Sequence, residues 1–331
     1  MRLLVAPGLG DLDQFRLADV DVPEPQPGQV RIQVEAAAAG YVDGLIAQGR
    51  YQLKPSLPHT PGGEIAGLID MIGLDVQGLE VGDRVVTWQL SGGFADYTIA
   101  LASQVDRLPD GLSAVTAASA LVDYQTARYA LNRAMLREGE TVLVLGGAGG
   151  VGLATVQFAS RAGARVIAAS STADRRDLTL TFGASDTVDS GSTNLRDELR
   201  TKGLDGAIDV IVDPVGGEQF ESLFRSLAKE GRHLIVGFAG GRIPSLPANL
   251  ALLKSASLVG VDIRHHLATA PVAAKAARDE IFGLLANGGL KPPPVDLYPL
   301  DRAGEALAAT LARRKAGKIV VQPGQSGPGG R

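Results

Sequence analysis

The 331-residue sequence contains no cysteine, few methionines and no long apolar segment. Without cysteine the chain forms no disulfide bond and offers no thiolate to a metal, so a metal site would depend on histidine and carboxylate ligands. No apolar run approaches the roughly 20 residues that a membrane-spanning helix needs. The first residues carry one arginine and no sustained apolar core, so we expect no signal peptide and no membrane association.

An excess of positive charge is also missing. The sequence has 32 Lys and Arg against 36 Asp and Glu, which gives a net charge of -4. Proteins that bind nucleic acids carry a basic surface that neutralises phosphates, so we expect no nucleic-acid partner. The overall composition is typical of a globular protein. Because the chain lacks both cysteine and an export signal, we expect a cytoplasmic protein.

The chain is longer than a single hydrophobic core usually supports, so two domains are expected. Residues 1–120 contain short strand patterns separated by glycine and proline turns, and Val30–Glu35 alternates apolar and polar residues with period two. This part predicts a β-rich, barrel-like domain. Residues 121–262 instead alternate apolar strands with helical patterns. That alternation predicts an α/β domain with a doubly wound parallel sheet of the Rossmann type.

The end of the chain is expected to leave the α/β domain. Residues 263–323 contain a helical pattern, a proline-rich strand start and a final strand at 318–321, and they predict a return to the first domain. Residues 324–331 are rich in glycine and have too little apolar surface to become ordered, so they predict a flexible tail.

A glycine-rich loop follows the first strand of the α/β domain and opens a helix. Its residues are Gly147, Ala148, Gly149, Gly150, Val151 and Gly152. In this motif the first glycine permits a tight turn, the second lets the backbone approach a pyrophosphate, and the third lets the helix pack on the strand. The helix N-terminus presents N–H groups to the anion. No Lys-Ser or Lys-Thr follows, which excludes a P-loop, and the pattern predicts dinucleotide binding.

The end of the second strand distinguishes NAD from NADP. NAD-binding proteins place a carboxylate there, whereas this chain has Ser170 and Ser171, followed by Arg175 and Arg176 in the next helix. Hydroxyl and guanidinium donors suit a 2′-phosphate, which a carboxylate would repel, so NADPH is the predicted cofactor. The alternative is a solvated helix start with a serine or threonine N-cap, in which Asp174 neutralises an arginine or interacts with the helix dipole.

Short motifs along nearly the whole chain match one known family. They are Gly40-Tyr41-Val42-Asp43, Thr126-Ala127, and residues 61–67, 82–85, 92–97, 147–152, 182–184, 236–238 and 317–320. Together they resemble the zinc-independent quinone oxidoreductase (zeta-crystallin-like) family of the medium-chain dehydrogenase/reductase superfamily. The resemblance implies that the first domain is a β-rich, GroES-like catalytic domain with a partly open barrel, and that the Rossmann domain binds NADPH. It also implies a homodimer joined through the apolar edge strand at 257–261, which native proteins otherwise protect.

The zinc ligands of the superfamily's alcohol dehydrogenases have no counterpart in this chain. The resemblance places Tyr41, Gly63 and a residue near Val122 at the ligand positions, and none of these binds zinc. The four histidines form no chelating pair at helical spacing. Without a Lewis acid, oxidation of an alcohol is disfavoured. We therefore expect no metal, and reduction of a quinone or a carbonyl-conjugated alkene by NADPH.

The resemblance also assigns residues to the substrate and the cofactor. Tyr41 and Tyr51 are expected to contact the substrate, with packing as the alternative, and Asp123 to relay a proton, with a helix-N-terminal position as the alternative. Cofactor contacts beyond the glycine loop and the strand end are implied for Asp43, Thr126, Ser190, Gly237, Phe238 and Lys318. Asp43 is alternatively a helix cap, and Lys318 a surface charge.

Three functions fit these features. The leading hypothesis is an NADPH-dependent quinone reductase, in which the proton comes from water or a tyrosine hydroxyl. The second is an enoyl reductase that acts on α,β-unsaturated ketones or acyl thioesters. The third is a non-catalytic NADPH-binding protein.

Overall fold

The computed structural model describes residues 1–192, 194–311 and 316–324. Contacts between Cα atoms divide the chain into two compact units. Unit 1 comprises Met1–Val122 and Phe282–Arg331, and unit 2 comprises Asp123–Ile281. Apart from Gly324, the tail predicted at 324–331 lies outside the described residues.

The described residues form the following strands and helices. The strands are β1 (Arg2–Val5), β2 (Arg16–Asp19), β3 (Gln29–Ala39), β4 (Glu64–Ile72), β5 (Arg84–Trp88), β6 (Tyr97–Leu101), β7 (Val105–Arg107), β8 (Thr141–Val144), β9 (Arg165–Ser170), β10 (Asp186–Asp189), β11 (Ile208–Asp213), β12 (Leu227–Ile235), β13 (Ser257–Gly260), β14 (Val295–Pro299) and β15 (Lys318–Gln322). The helices are α1 (Tyr41–Ala47), α2 (Ala114–Ala134), α3 (Gly150–Arg161), α4 (Ala173–Thr181), α5 (Leu195–Thr201), α6 (Phe220–Phe224), α7 (Ala248–Lys254), α8 (Ile263–Thr269), α9 (Pro271–Ala286) and α10 (Ala303–Thr310). No helix in this part of the chain is both long and apolar enough to cross a membrane.

Unit 1 is built around β3, the longest strand of a mixed seven-stranded sheet. The strand order is β14-β15-β3-β4-β5-β7, and β6 also pairs with β3. Val30, Ile32 and Val34 lie on one face of β3 and are buried, as their alternation with polar residues predicts. The sheet does not close into a barrel, which confirms the partly open β-rich domain.

Unit 2 contains a six-stranded parallel sheet in the order β10-β9-β8-β11-β12-β13. Leu143, Ile167 and Ile211 on its central strands are fully buried, which explains why these strands are continuous apolar runs. The strand order reverses between β8 and β11. In such sheets, ligands bind outside the carboxyl ends of the strands at this reversal. The doubly wound α/β prediction is confirmed.

Residues 263–281 belong to unit 2, whereas the sequence pattern predicts that they are part of the return to the first domain. Their side chains explain the difference. The ring of His266 stacks on Tyr129 with centroids 4.1 Å apart. Arg278 donates a hydrogen bond of 3.2 Å to Gln125. These contacts attach α8 and α9 to α2, and helical periodicity carries no information about which domain a helix packs against.

His59 is a buried, neutral histidine in unit 1. Only 1% of its surface is exposed, and neither ring nitrogen has a hydrogen-bond partner among the described residues. The ring packs edge-on against Phe15 at a centroid distance of 6.0 Å. Loss of solvent lowers its pKa to about 4.

We expect His59 to reduce stability in mild acid. Its pKa falls from 6.5 in the unfolded chain to about 4 in the folded protein, so the unfolded state binds more protons between these values. This contribution should amount to about 2 kcal/mol of lost stability between pH 7.5 and pH 5. Urea unfolding of wild type and His59→Leu at both pH values tests it. The variant should lose less stability on acidification, and an identical loss in the two proteins would contradict the assignment.

Candidate functional site

The glycine-rich loop of unit 2 lies at the carboxyl end of the parallel sheet, between β8 and α3. The Ala148 N–H donates to the Ser170 hydroxyl at 3.2 Å, which fastens the loop to the end of β9. Gly149 is the N-cap of α3 and Gly150 its first residue. The first N–H groups of a helix have no intrahelical acceptor, and the positive end of the helix dipole lies beside them. The loop therefore offers a site for an anion.

The glycines of the loop differ in what surrounds them. A Cβ atom at Gly152 would overlap the carbonyl oxygen of Gly146 and lie 2.7 Å from that of Gly147, so the helix packs directly on the loop. A Cβ at Gly149 would meet a single atom within 4 Å, the Gly146 oxygen at 3.3 Å. The third glycine of the motif thus serves packing. The second leaves space through which a ligand can approach the backbone.

The carboxyl ends of β9 and β10 bring three predicted serines together. Ser170 is buried, and its carbonyl accepts a hydrogen bond of 3.3 Å from the Ser190 N–H. The next residue, Ser171, is exposed. Ser171 Cβ lies 3.7 Å from the position that a Cβ on Gly191 would occupy, so the two strand ends are in contact.

The two arginines of α4 have different environments. Arg176 donates to the Ser170 carbonyl at 3.1 Å and forms an ion pair of 3.1 Å with Asp189. It therefore links β9 to β10. Arg175 is partly buried, and the loss of solvent lowers its pKa. Thr172 is the N-cap of α4 but makes no side-chain capping hydrogen bond within the described chain, so the N-cap alternative lacks its characteristic contact.

Asp123 and Thr126 lie on α2. Asp123 is in the middle of that helix, so the alternative that placed it at a helix N-terminus is wrong. A Cβ at Gly150 would overlap Asp123 Oδ2, which shows that the carboxylate lies against the first residue of α3. Thr126 is 6% exposed and lies about one turn further along α2.

Sequence reasoning missed a buried Asp–His pair at the end of β11. Asp213 Oδ1 accepts hydrogen bonds from the N–H groups of Val215 at 2.8 Å and Gly216 at 2.7 Å. Asp213 Oδ2 lies 2.9 Å from His233 Nε2, and both side chains are buried. An acidic residue at the end of an apolar strand was the available signal, but its histidine partner is on another strand.

The backbone at the end of β11 contacts the loop that holds Gly237 and Phe238. The Gly237 N–H donates to the Asp213 carbonyl at 3.3 Å, and the Gly240 N–H donates to the Val215 carbonyl at 2.7 Å. Phe238 is 37% exposed. The segments after β11 and β12 are thus held together at the carboxyl edge of the sheet, where the sequence predicted a cofactor contact.

In unit 1, Tyr41 is the first residue of α1, and Asp43 caps that helix. Asp43 Oδ2 accepts from the Gly40 N–H at 2.8 Å, and Oδ1 accepts from the Gly63 N–H at 3.2 Å. Loss of solvent raises the pKa of Asp43, and the hydrogen bond from Gly40 and the charge of Lys318 partly oppose this rise. The helix-cap alternative therefore describes the observed contacts. Tyr51 lies beyond the end of α1 and is partly exposed.

Lys318 forms an ion pair inside unit 1. Its Nζ lies 2.5 Å from Glu64 Oε1, and the two side chains are only 5% and 6% exposed. Glu64 Oε2 accepts a hydrogen bond of 2.8 Å from the Val122 N–H. The surface-charge alternative for Lys318 is therefore wrong. The ion pair was not predictable, because Glu64 and Lys318 are far apart in the sequence.

The residues do not fit a zinc ion at the positions that the resemblance indicates. Gly63 has no side chain, and Val122 has no donor atom. Within residues 1–192, 194–311 and 316–324, no three histidine, aspartate or glutamate side chains lie close enough together to hold a metal ion.

Two family models match the chain. The model described as alcohol dehydrogenase GroES-like domain matches residues 26–110, and the model described as zinc-binding dehydrogenase matches residues 150–278. Quinone oxidoreductase-like protein 2 of Bos taurus is 35% identical over 303 residues, which cover 90% of this chain and 86% of the relative. Quinone oxidoreductase of Mus musculus is 33% identical, with 92% of each chain covered.

A solved structure is similar to this chain over nearly its whole length. The structure of mycobacterial Rv1454c complexed with NADPH is 30% identical to this chain and superposes with a TM-score of 0.88. The similarity covers 98% of this chain and 100% of the mycobacterial one.

Proposed function

This chain belongs to the quinone oxidoreductase family of the medium-chain dehydrogenase/reductase superfamily, and we propose that it reduces quinones with NADPH and without a metal. It is an oxidoreductase of that superfamily. The similarity to quinone oxidoreductases over about nine-tenths of the chain carries the proposal, since 90% and 92% of its length are covered.

The cofactor is NADPH, and the geometry of unit 2 fits it. We propose that the pyrophosphate is held by the glycine loop (residues 147–152), where the space beside Gly149 lets a ligand reach the backbone. The 2′-phosphate would be bound by Ser170, Ser171, Ser190 and Arg175, which lie at or beside the carboxyl ends of β9 and β10. Thr126, Gly237 and Phe238 are proposed to contact the nicotinamide half.

When bound, NADPH supplies a hydride to the acceptor. The chain's own residues orient the acceptor and provide a proton, because a quinone that gains a hydride becomes a hydroquinone only after protonation. Tyr41 and Tyr51 are proposed to hold the acceptor and to offer a hydroxyl proton. Asp123 is proposed to relay a proton at its carboxylate. Asp43 and Lys318, whose polar atoms bind protein groups, are not assigned to the cofactor here.

A substrate panel tests the proposal. We expect the enzyme to oxidise NADPH with 1,4-benzoquinone and 9,10-phenanthrenequinone, and to turn over crotonyl-CoA and simple enones much more slowly. Turnover of the thioester but not of quinones would favour an enoyl reductase instead. No turnover with any acceptor would favour a binding protein.

We also propose a homodimer that pairs through β13. This strand is at the edge of the parallel sheet, and its Leu258 is 43% exposed. Leu252 on the adjoining α7 is 79% exposed, so apolar surface accompanies the open strand edge. Light scattering coupled to gel filtration should give twice the chain mass, and a monomeric mass would contradict this assembly.

A further inference from the structure

Three backbone N–H groups from separate segments of unit 1 meet two carboxylates. Gly40, before α1, and Gly63, before β4, donate to Asp43, and Val122 on α2 donates to Glu64. The sheet brings these segments together because Ala38 of β3 pairs with Glu64 of β4. On the other side of β3, Ala39 pairs with Ile319 of β15, so Lys318 starts its strand beside the same point.

Lys318 supplies the positive charge at this point. Its ammonium lies 2.5 Å from Glu64 Oε1, and its charge acts on Asp43 as well. The ammonium also packs against the start of α1, because a Cβ atom at Gly40 would lie 3.2 Å from Lys318 Nζ. Carboxylates withdrawn from water need such a partner, since an unpaired buried charge is costly.

We propose that Lys318 is a positioning residue, which acts through Glu64 and Asp43 to fix the backbone at Gly40, Gly63 and Val122. Tyr41 directly follows Gly40, so the placement of this substrate residue depends on the same contacts. Lys318 does not contact the cofactor, because its ammonium is paired with Glu64 and its side chain is only 5% exposed. This assignment differs from the cofactor contact that the family resemblance implied, and it rests on the proposed quinone reduction.

Three variants of the full-length enzyme test this role. Lys318→Met leaves both carboxylates without their cation, and we expect kcat for 1,4-benzoquinone to fall by about tenfold or more. The dissociation constant of NADPH, measured by fluorescence titration, should stay within about twofold of the wild-type value, because Lys318 makes no contact with the cofactor. Lys318→Met combined with Glu64→Gln removes both charges of the ion pair and should recover part of the lost kcat, because Asp43 still lacks its cation.

Glu64→Gln alone is the third variant and the mildest change, because it keeps an acceptor for the Val122 N–H. It should fold, lower kcat and leave NADPH affinity unchanged, which keeps the inference testable even if Lys318→Met does not fold. A loss of NADPH affinity that matches the loss of kcat would show instead that Lys318 contacts the cofactor. A double variant no better than Lys318→Met, or a normal kcat in the single variants, would also overturn the inference. If wild type reduces no quinone, the proposed function fails, and the same comparison is made with the enone that it reduces.

Discussion

Replacing Arg175 by alanine should lower the affinity for NADPH by about 100-fold, which corresponds to about 2.7 kcal/mol, and leave NADH affinity nearly unchanged. The physical reason is the 2′-phosphate, which NADH lacks. We propose that the partly buried guanidinium of Arg175 at the start of α4 donates charge-assisted hydrogen bonds to this phosphate, and the serines at the strand ends cannot replace its charge. Fluorescence titration with each nucleotide gives both dissociation constants.

Arg176→Ala is the matched control. Arg176 is adjacent in sequence, but its contacts are with the Ser170 carbonyl and Asp189. Its removal should reduce stability and affect the two nucleotides alike, so the preference for NADPH should remain. An unchanged preference in Arg175→Ala, or a lost preference in Arg176→Ala only, would contradict the assignment of the phosphate to Arg175.

The second large effect is expected at the glycine loop, where one alanine substitution should lower stability and another should lower NADPH affinity. The methyl group of Gly152→Ala would overlap the carbonyl oxygen of Gly146, so this variant should destabilise the unliganded protein by about 3 kcal/mol or more. Gly149→Ala meets one atom at 3.3 Å, so its unfolding free energy should change by less than about 1 kcal/mol. Its methyl group instead enters the space beside the loop, and NADPH affinity should fall by at least about tenfold.

Urea unfolding without nucleotide and NADPH titration separate these two effects. Gly149→Ala should be stable but should bind NADPH weakly, whereas Gly152→Ala should be unstable. A stable Gly152→Ala would mean that the helix does not pack on the loop as described. Normal NADPH affinity in Gly149→Ala would mean that the pyrophosphate does not approach the backbone there.

Local patterns in the sequence were sufficient for much of the fold and for the glycine loop. The apolar strands of unit 2 and the period-two pattern of β3 reflect burial, which acts residue by residue along a strand. The loop at 147–152 is recognisable because all of its glycines are local to one turn. These features could therefore be predicted from the sequence alone.

Side-chain pairs that join distant segments of the chain could not be predicted from the sequence. Lys318 with Glu64 and His233 with Asp213 each depend on the order of strands, which no local pattern encodes. The same holds for α8 and α9, whose periodicity shows an amphipathic helix but not its packing partner. The helix-N-terminal alternative for Asp123 is wrong because the pattern around this residue does not reveal that α2 begins at Ala114.

The most direct test of the central claim is a single-turnover experiment without oxygen. Enzyme dialysed exhaustively against EDTA is loaded with NADPH and mixed with 1,4-benzoquinone, while the nicotinamide absorbance is followed. We predict rapid oxidation of one NADPH per active site, at a rate that chelation does not reduce and added zinc does not increase. No oxidation, or oxidation that appears only when zinc is restored, would contradict it.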